Sequence, residues 1–349
     1  MANRIFINGR FLTQNMTGIQ RFSYELCKAL TDIGTEIIIL APKKIRNEYR
    51  LNCRIIQFGI FSGILWEQVD LLLFLLKHKN PFLLNFGSPG PIFYTNRIVT
   101  VHDISFYIHP AWFSKTYYYY YRLATPVFTR LSKKVITVSE FSKNEIKRLI
   151  GIPDDKITVI HNAVSRTLMK RRSKTSLKKE RYILTVASLD PRKNLVRLVE
   201  AYKQAGIGKE IKLVLAGRID PIFNLDIPEE ILANSVGYVP DEELASLYEN
   251  AALFVYPSLY EGFGIPPLEA MSLGCPVILS DIPVFREIFG DAACYVDAYK
   301  TMSIRDGILR VLTDETYRDE LIRKGLEKAS HYNWERSAKK LVGIINLLA

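Results

Sequence analysis

Short apolar runs of four or five residues, rich in β-branched and aromatic side chains, recur along the chain with helical patterns between them. In the first half they predict strands near Arg4–Asn8, Glu36–Leu40, Arg54–Phe58, Phe82–Phe86, Arg97–Val101, Lys134–Val138 and Ile157–His161. In the second half the predicted strands lie near Tyr182–Val186, Lys212–Ala216, Ser235–Val239, Leu253–Tyr256, Val277–Ser280 and Cys294–Asp297. Amphipathic stretches at Gln20–Leu30, Lys143–Ile150, Leu195–Ala205 and Asp241–Ala251 read as intervening helices. Repeated β-α alternation predicts α/β architecture with parallel sheets covered on both faces. Two such halves give two Rossmann-like doubly wound domains, with ligand bound in a cleft at the strands' carboxyl ends.

Length and composition sharpen this. A chain of 349 residues suits two domains, and a hydrophobic content of 48% supplies sizeable cores. The N-terminus lacks a signal-peptide profile, and the longest apolar block, Leu71–Leu76, is too short to span a bilayer. Four dispersed cysteines without a C-x-x-C read as free thiols of a reducing, cytoplasmic compartment.

Charge is unevenly placed. Residues 1–165 hold 21 basic and 11 acidic side chains, residues 166–181 eight and one, and residues 182–349 18 and 24. The corresponding nets are +10, +7 and −6. A basic front half points to an anionic surface, and each basic residue near an anionic bilayer is worth ~1 kcal/mol. Nucleic acid is excluded as the partner, because no nucleic-acid motif is present and the acidic half would repel a polyanion. The run K-T-Y-Y-Y-Y-Y-R offers Lys115, Tyr117, Tyr118, Tyr121 and Arg122 to a membrane interface, with other tyrosines packing inward. Trp66–Leu76 reads as a core helix with an exposed apolar edge.

Candidate chemistry centres on Tyr256–Glu269, Y-P-S-L-Y-E-G-F-G-I-P-P-L-E. A buried strand leads into Gly262 and Gly264, which allow a tight turn, and Pro266 and Pro267 suit the first turn of a helix ending near Leu273. Free N–H groups at Phe263, Gly264 and Ile265 then suit an anion, while Glu261 and Glu269 reach different parts of one ligand. An ordinary strand–loop–helix unit with solvated glutamates is the alternative. D-P-R-K-N at Asp190–Asn194 follows a strand and precedes a helix, placing Arg192 and Lys193 where they can hold a diphosphate. A solvated turn explains the same residues. His102 and Asp103 end the strand R-I-V-T-V, at the carboxyl end that faces the cleft of a doubly wound domain, His102 toward a donor hydroxyl or developing charge and Asp103 as a loop-orienting group; a structural His–Asp turn explains the same residues. Thr17 and Gly18 precede a helix with Arg21 in its first turn. No D-x-D, H-E-x-x-H, Walker loop or G-x-G-x-x-G occurs, so no metal or other cofactor is expected.

The segment Tyr256–Glu269 resembles the E-x(7)-E element of retaining GT-B glycosyltransferases of family 4. The order of other stretches agrees: T-G-I-Q-R-F-S-Y-E-L, V-T-V-H-D, V-I-T-V-S-E-F-S, V-I-H-N-A-V, L-T-V-A-S-L-D-P-R-K-N-L, L-V-L-A-G and G-Y-V-P-D-E-E-L-A-S-L-Y. The resemblance covers nearly the whole chain and implies a GT-B fold. An acceptor-side domain spans 1–165, a basic linker 166–181 and a nucleotide-sugar domain 182–331, with the last helix, 332–349, packed back on the first domain. It assigns the transferred sugar to Glu261, the ribose to Glu269 and the pyrophosphate to Arg192 and Lys193. Gly18, Ser188, Gly217, Arg218, Tyr238, Val239, Phe263, Gly264 and Ile265 complete the donor side, with Thr17, Arg21 and Asp103 toward the acceptor. Two departures stand out: Ser188 lies about where many relatives carry an arginine, and a single Gly18 replaces a glycine pair.

The implied activity is metal-independent, retaining hexosyl transfer to a lipid-linked glycan of a bacterial surface polysaccharide, on the inner face of the cytoplasmic membrane. The variants resemble those of O-antigen mannosyltransferases, so GDP-mannose leads. dTDP-rhamnose, UDP-glucose and UDP-galactose stay open as donors. Rival expectations are transfer to a soluble acceptor and a non-catalytic membrane scaffold with a decayed donor site.

Overall fold

A computed structural model describes residues 5–46, 49–170, 182–187, 190–217 and 234–348. Ser188, Arg218 and residues 171–181 of the basic segment lie outside the described residues. The chain divides into two units, Met1–Asn162 with Asn333–Ala349, and Ala163–Tyr332.

The first unit is built on seven parallel strands: β1 Ile5–Asn8, β2 Ile37–Ala41, β3 Arg54–Gln57, β4 Leu83–Asn85, β5 Arg97–Thr100, β6 Lys134–Thr137 and β7 Ile157–Val159. Their order is β3-β2-β1-β4-β5-β6-β7. β1 therefore sits at the point where the winding reverses, paired with β2 through Ile5↔Ile37 and with β4 through Phe6↔Leu83. β2, β4 and β5 are buried along their whole length, which explains their unbroken apolar character. Helix Gly18–Asp32 turns Phe22, Leu26 and Leu30 inward at four-residue spacing. The last helix, Trp334–Leu348, belongs to this unit. Its Trp334 ring meets Phe22 at 5.8 Å, and its Ser337 hydroxyl donates to the His161 carbonyl at 2.8 Å.

The second unit has six parallel strands: β8 Tyr182–Val186, β9 Lys212–Ala216, β10 Ser235–Gly237, β11 Leu253–Tyr256, β12 Val277–Ser280 and β13 Cys294–Val296. Their order, β10-β9-β8-β11-β12-β13, repeats the first unit's winding and reverses between β8 and β11. Leu195, Leu198, Val199 and Tyr202 of helix Leu195–Ala205 pack on Ile183, Leu213 and Val255 of the sheet. Arg166–Lys170, the expected start of a linker, is instead a short helix of this unit. Its Leu168 is fully buried, and the preceding Ser165 donates to Asp241 at 3.3 Å.

Candidate active site

In doubly wound sheets, ligands bind beyond the carboxyl ends of the strands where the winding reverses. In the second unit that point lies between β8 and β11, whose following loops are D-P-R-K-N and P-S-L-Y-E-G-F-G. Asp190 caps the first loop, its Oδ1 accepting from the Arg192 N–H at 2.9 Å. Its Oδ2 accepts from Arg192 Nε at 2.9 Å and Nη2 at 2.7 Å. Burial alone would raise the Asp190 pKa, but the Arg192 hydrogen bonds and charge outweigh it and hold the carboxyl below its ordinary value. Asn194 is left-handed at φ 56° and buried; its Nδ2 donates to the carbonyls of Pro257 at 3.2 Å and Ala298 at 2.7 Å. The Leu259 N–H donates to the Arg192 carbonyl at 2.7 Å, so the two loops are tied together by main-chain and amide bonds.

Across this junction Lys193 Nζ donates to Glu261 Oε1 at 2.5 Å and to the Tyr256 hydroxyl at 2.6 Å. The paired side chains are only 14% and 15% exposed. Burial would lower the Lys193 pKa, but the Glu261 charge and the Tyr256 hydroxyl reverse that and raise it, so the ammonium is retained. Burial, reinforced by Glu261, pushes the Tyr256 hydroxyl up, which keeps it neutral. Tyr256, the last residue of β11, is a site member that motif reasoning missed; its place at the end of a strand was the available signal.

The loop ends at Gly264, which caps helix Ile265–Ser272 with φ 102°. A Cβ there would lie 2.9 Å from the Phe285 ring, so both conformation and space demand glycine. Pro266 and Pro267 occupy the first turn, and Ile265 is half-buried. The Phe263 ring is buried edge-on against Tyr332 at 5.4 Å. Glu269 is 3% exposed and accepts from the Tyr248 hydroxyl at 3.2 Å. Burial first, then Glu269, pushes that hydroxyl well above its ordinary pKa. Gly217, beyond β9, has φ 136°, and a Cβ would lie 2.2 Å from the Ala187 carbonyl oxygen. Beyond β10, Tyr238 is exposed and Val239 half-buried.

In the first unit His102 follows β5, and its Nε2 bonds the Phe86 carbonyl at 2.8 Å. A carbonyl only accepts, so Nε2 carries the proton and Nδ1 is the acceptor. Burial is the main influence on His102 and lowers its pKa, against smaller opposing effects of the Phe86 bond and Asp103. The ring stands edge-on to Phe22 at 4.9 Å, with Trp334 on another edge of Phe22. Asp103 Oδ1 accepts from the Ser105 N–H at 2.9 Å and so fixes the loop after His102. Thr17 caps helix Gly18–Asp32 and donates through its hydroxyl to Gln20 Oε1, while Gly18 is exposed and Arg21 half-buried.

Sequence reasoning missed a polar network at this unit's reversal point. Asn8 and Asn85 end the flanking strands β1 and β4, with Asn8 Nδ2 donating to Asn85 Oδ1 at 2.9 Å and Glu67 Oε1 at 2.7 Å. Glu67, fully buried, also accepts from Ser88 and from Arg10 Nη1 at 2.7 Å. Glu67 stands in a π-helical segment, Trp66–Leu71, within the longer helical run Gly63–Leu65 to Leu72–Lys77. Two asparagines closing apolar runs were the legible trace.

The tyrosine run forms helix Lys115–Leu131. Lys115 and Arg122 are exposed, the Arg122 guanidinium lies 5.7 Å over the Tyr118 ring, and Tyr117 is also exposed. Tyr121 departs from expectation: it packs inward against Phe106 at 5.8 Å, while Tyr119 and Leu123 hold the exposed positions. Helical geometry, with two neighbouring tyrosines about 100° apart, sends Tyr121 to the core side.

Two family models divide the sequence: Glycosyltransferase Family 4 matches residues 16–168, and Glycosyl transferases group 1 matches residues 168–328. The O-antigen chain mannosyltransferase B of Escherichia coli is 33% identical, over 95% of this chain and 97% of its own. The O-antigen chain mannosyltransferase RfbU of Salmonella typhimurium is 34% identical over 58% of this chain and 57% of its own. Among solved structures, WaaG, a glycosyltransferase involved in lipopolysaccharide biosynthesis, superposes with a TM-score of 0.76 at 15% identity, covering 98% of this chain and 99% of that one. HepE of Anabaena, solved in complex with UDP and glucose, gives 0.75 at 15% identity over 99% and 100%. At these identities the structural likeness shows the GT-B fold.

Proposed function

This chain belongs to glycosyltransferase family 4, and from that membership we propose that it transfers mannose from GDP-mannose, with retention, to a lipid-linked glycan of a bacterial surface polysaccharide. The relatives named as O-antigen mannosyltransferases support the sugar and the acceptor class, and HepE, solved with UDP and glucose, supports a nucleotide-sugar donor.

The observation that carries the proposal is the Lys193–Glu261 pair at the winding reversal of the second unit. In the absence of donor the two charges neutralise each other. A diphosphate offers Lys193 a stronger anion, and Glu261 is then released to accept hydrogen bonds from sugar hydroxyls. Tyr256 keeps its hydrogen bond to Lys193 through the exchange and holds the ammonium on the leaving group. Arg192, tethered by Asp190, adds the second cation. Stabilising the departing diphosphate in this way is electrostatic catalysis that calls for no resident metal. Glu269 meets the ribose, with Tyr248 setting its direction.

His102, with Nδ1 free of a proton, accepts from a sugar hydroxyl or steadies positive charge at the reacting carbon. The leaving diphosphate takes the acceptor's proton as the new bond forms on the same face, so no side chain acts as a strong base. Arg10, held by buried Glu67 at the first unit's reversal point, contacts the acceptor. No helix among the described residues is long and apolar enough to cross a membrane, and we place the protein peripherally on the cytoplasmic face.

Incubation with GDP-mannose and a lipid-linked acceptor, with the product anomer read by NMR, tests the reaction. An α-linked product is expected, and a β-linked product would overturn retention. Glu261→Ala abolishes transfer while GDP still binds; normal turnover by that variant would remove Glu261 from the sugar.

A further inference from the structure

The helical run from Gly63 to Lys77 has two apolar faces, and only one is used. Trp66, Leu71 and Leu75 are fully buried in the first unit's core. Leu65, Val69, Leu73 and Leu76 form a second stripe at helical spacing, with Leu65 and Leu73 each 60% exposed and Leu76 54%. The loop before it presents Ile60 at 83% exposure. That loop is fixed rather than frayed, because Asp70 Oδ2 accepts from the N–H groups of Ile60 at 3.0 Å and Phe61 at 2.9 Å. Both carboxylates of the stretch are thus engaged: Asp70 caps the loop, and Glu67 is buried against Arg10.

The stripe runs the length of the sheet. Glu67 meets Asn8 at the carboxyl end, and Leu72 and Leu76 line an open groove of about 990 Å³ at the amino ends of β4 to β7. Phe93, Leu131 and Leu348 supply apolar wall, and Arg130, Lys133, Lys134 and Lys156 supply cations against one carboxylate, Asp155. Each cation donates to a main-chain carbonyl: Arg130 to Ile150, Lys133 to Leu348, Lys134 to Asp155 and Lys156 to Arg130. Among the described residues none of the four makes an ion pair with a carboxylate.

We propose that this apolar edge and its basic groove are the surface by which the protein docks on an anionic phospholipid bilayer. The inference rests on the peripheral-membrane reading above. It assigns the contact to residues 60–76 and the groove rather than to the tyrosine helix. Charge and shape argue for this occupant. A rigid apolar ridge enters the acyl boundary, while cations not neutralised by the protein's own carboxylates meet lipid phosphates.

The test is flotation of the full chain with phosphatidylglycerol–phosphatidylethanolamine vesicles and with phosphatidylcholine vesicles. Three double variants are compared: Leu73→Glu/Leu76→Glu, Lys133→Gln/Lys134→Gln and Tyr119→Glu/Leu123→Glu. All six side chains are on the surface, and thermal melts confirm folding. The wild type floats with anionic vesicles only. The leucine variant stays at the bottom, the lysine variant loses about tenfold or more in partition, and the tyrosine-helix variant floats normally. Wild-type flotation left intact by the leucine variant overturns the surface assignment, as does loss confined to the tyrosine-helix variant. Light scattering that shows a dimer split by the leucine variant, without vesicle binding, makes the ridge an interface between copies. A wild type that binds no vesicle removes the membrane reading itself.

Discussion

Lys193 and Glu261 are 68 positions apart in sequence and 2.5 Å apart in the fold. Each was legible by residue type within its own loop, but their pairing was not, because only the parallel neighbours β8 and β11 bring the loops together. Tyr256, Asn8 and Asn85 escaped notice for the same reason: a polar residue closing an apolar run announces a strand end, not its distant partner. The pair has a stability consequence. Glu261→Ala leaves the Lys193 ammonium with Tyr256 as its remaining neutral partner, at a cost on the order of 1–3 kcal/mol in denaturant melts; unchanged stability would show that the pair is slack.

His102 makes the pH prediction. Burial lowers its pKa below the ordinary value of about 6.5, so the folded protein holds neutral imidazole where the unfolded chain already takes a proton. Turnover is expected to be level down to about pH 6.5 and to fall below it as imidazolium forms. The His102 contribution to stability runs the same way: it is present above the unfolded value and lost on acidification, because the unfolded chain binds the proton first. His102→Gln should flatten the acid limb of the pH–rate profile, and an unchanged limb would assign it to another group.

At the scale of elements the strands were the most legible features. Each of the thirteen predicted strands is present; inner strands such as β2, β4 and β5, buried along their length, leave an unbroken hydrophobic signature, while the edge strands β3 and β10 stay partly exposed. Helix faces were less legible where the residues were alike. Five consecutive tyrosines carry no periodicity, so the inward turn of Tyr121 and the outward turn of Tyr119 come from packing on Phe106. The π-helical turn at Trp66–Leu71 also left no signature, although it is the turn that aims Glu67 at Asn8. The tight turn at Gly264 was foreseen, and its geometry gives a test. Gly264→Ala combines a φ of 102° with a contact 2.9 Å from the Phe285 ring, for a loss of about 1–3 kcal/mol or more. A neutral effect in thermal unfolding would mean the loop rearranges freely.

At the scale of the molecule, two parallel-sheet units of the same winding carry unequal charge: residues 1–162 with 333–349 hold 24 basic and 12 acidic side chains, and residues 163–332 hold 23 and 24. The division suits a protein with one unit turned to an anionic surface and the other to a soluble donor whose phosphates are held by a few placed cations. With Lys193 and Arg192 in that role, EDTA should leave transfer within about twofold of the untreated rate, and a strict metal requirement would contradict the proposed leaving-group chemistry. Donor identity was the least legible property, because the residue types at the donor-side candidates Gly217, Tyr238 and Val239 fit several nucleotides.

The central claim is that the paired charges at the second unit's winding reversal form a nucleotide-sugar site. Thermal unfolding of the wild type in the presence of GDP-, UDP- and dTDP-sugars tests it most directly. The account predicts a concentration-dependent rise in Tm with one nucleotide class, GDP-mannose first, by mass action on the folded state. No rise with any of the three would contradict it.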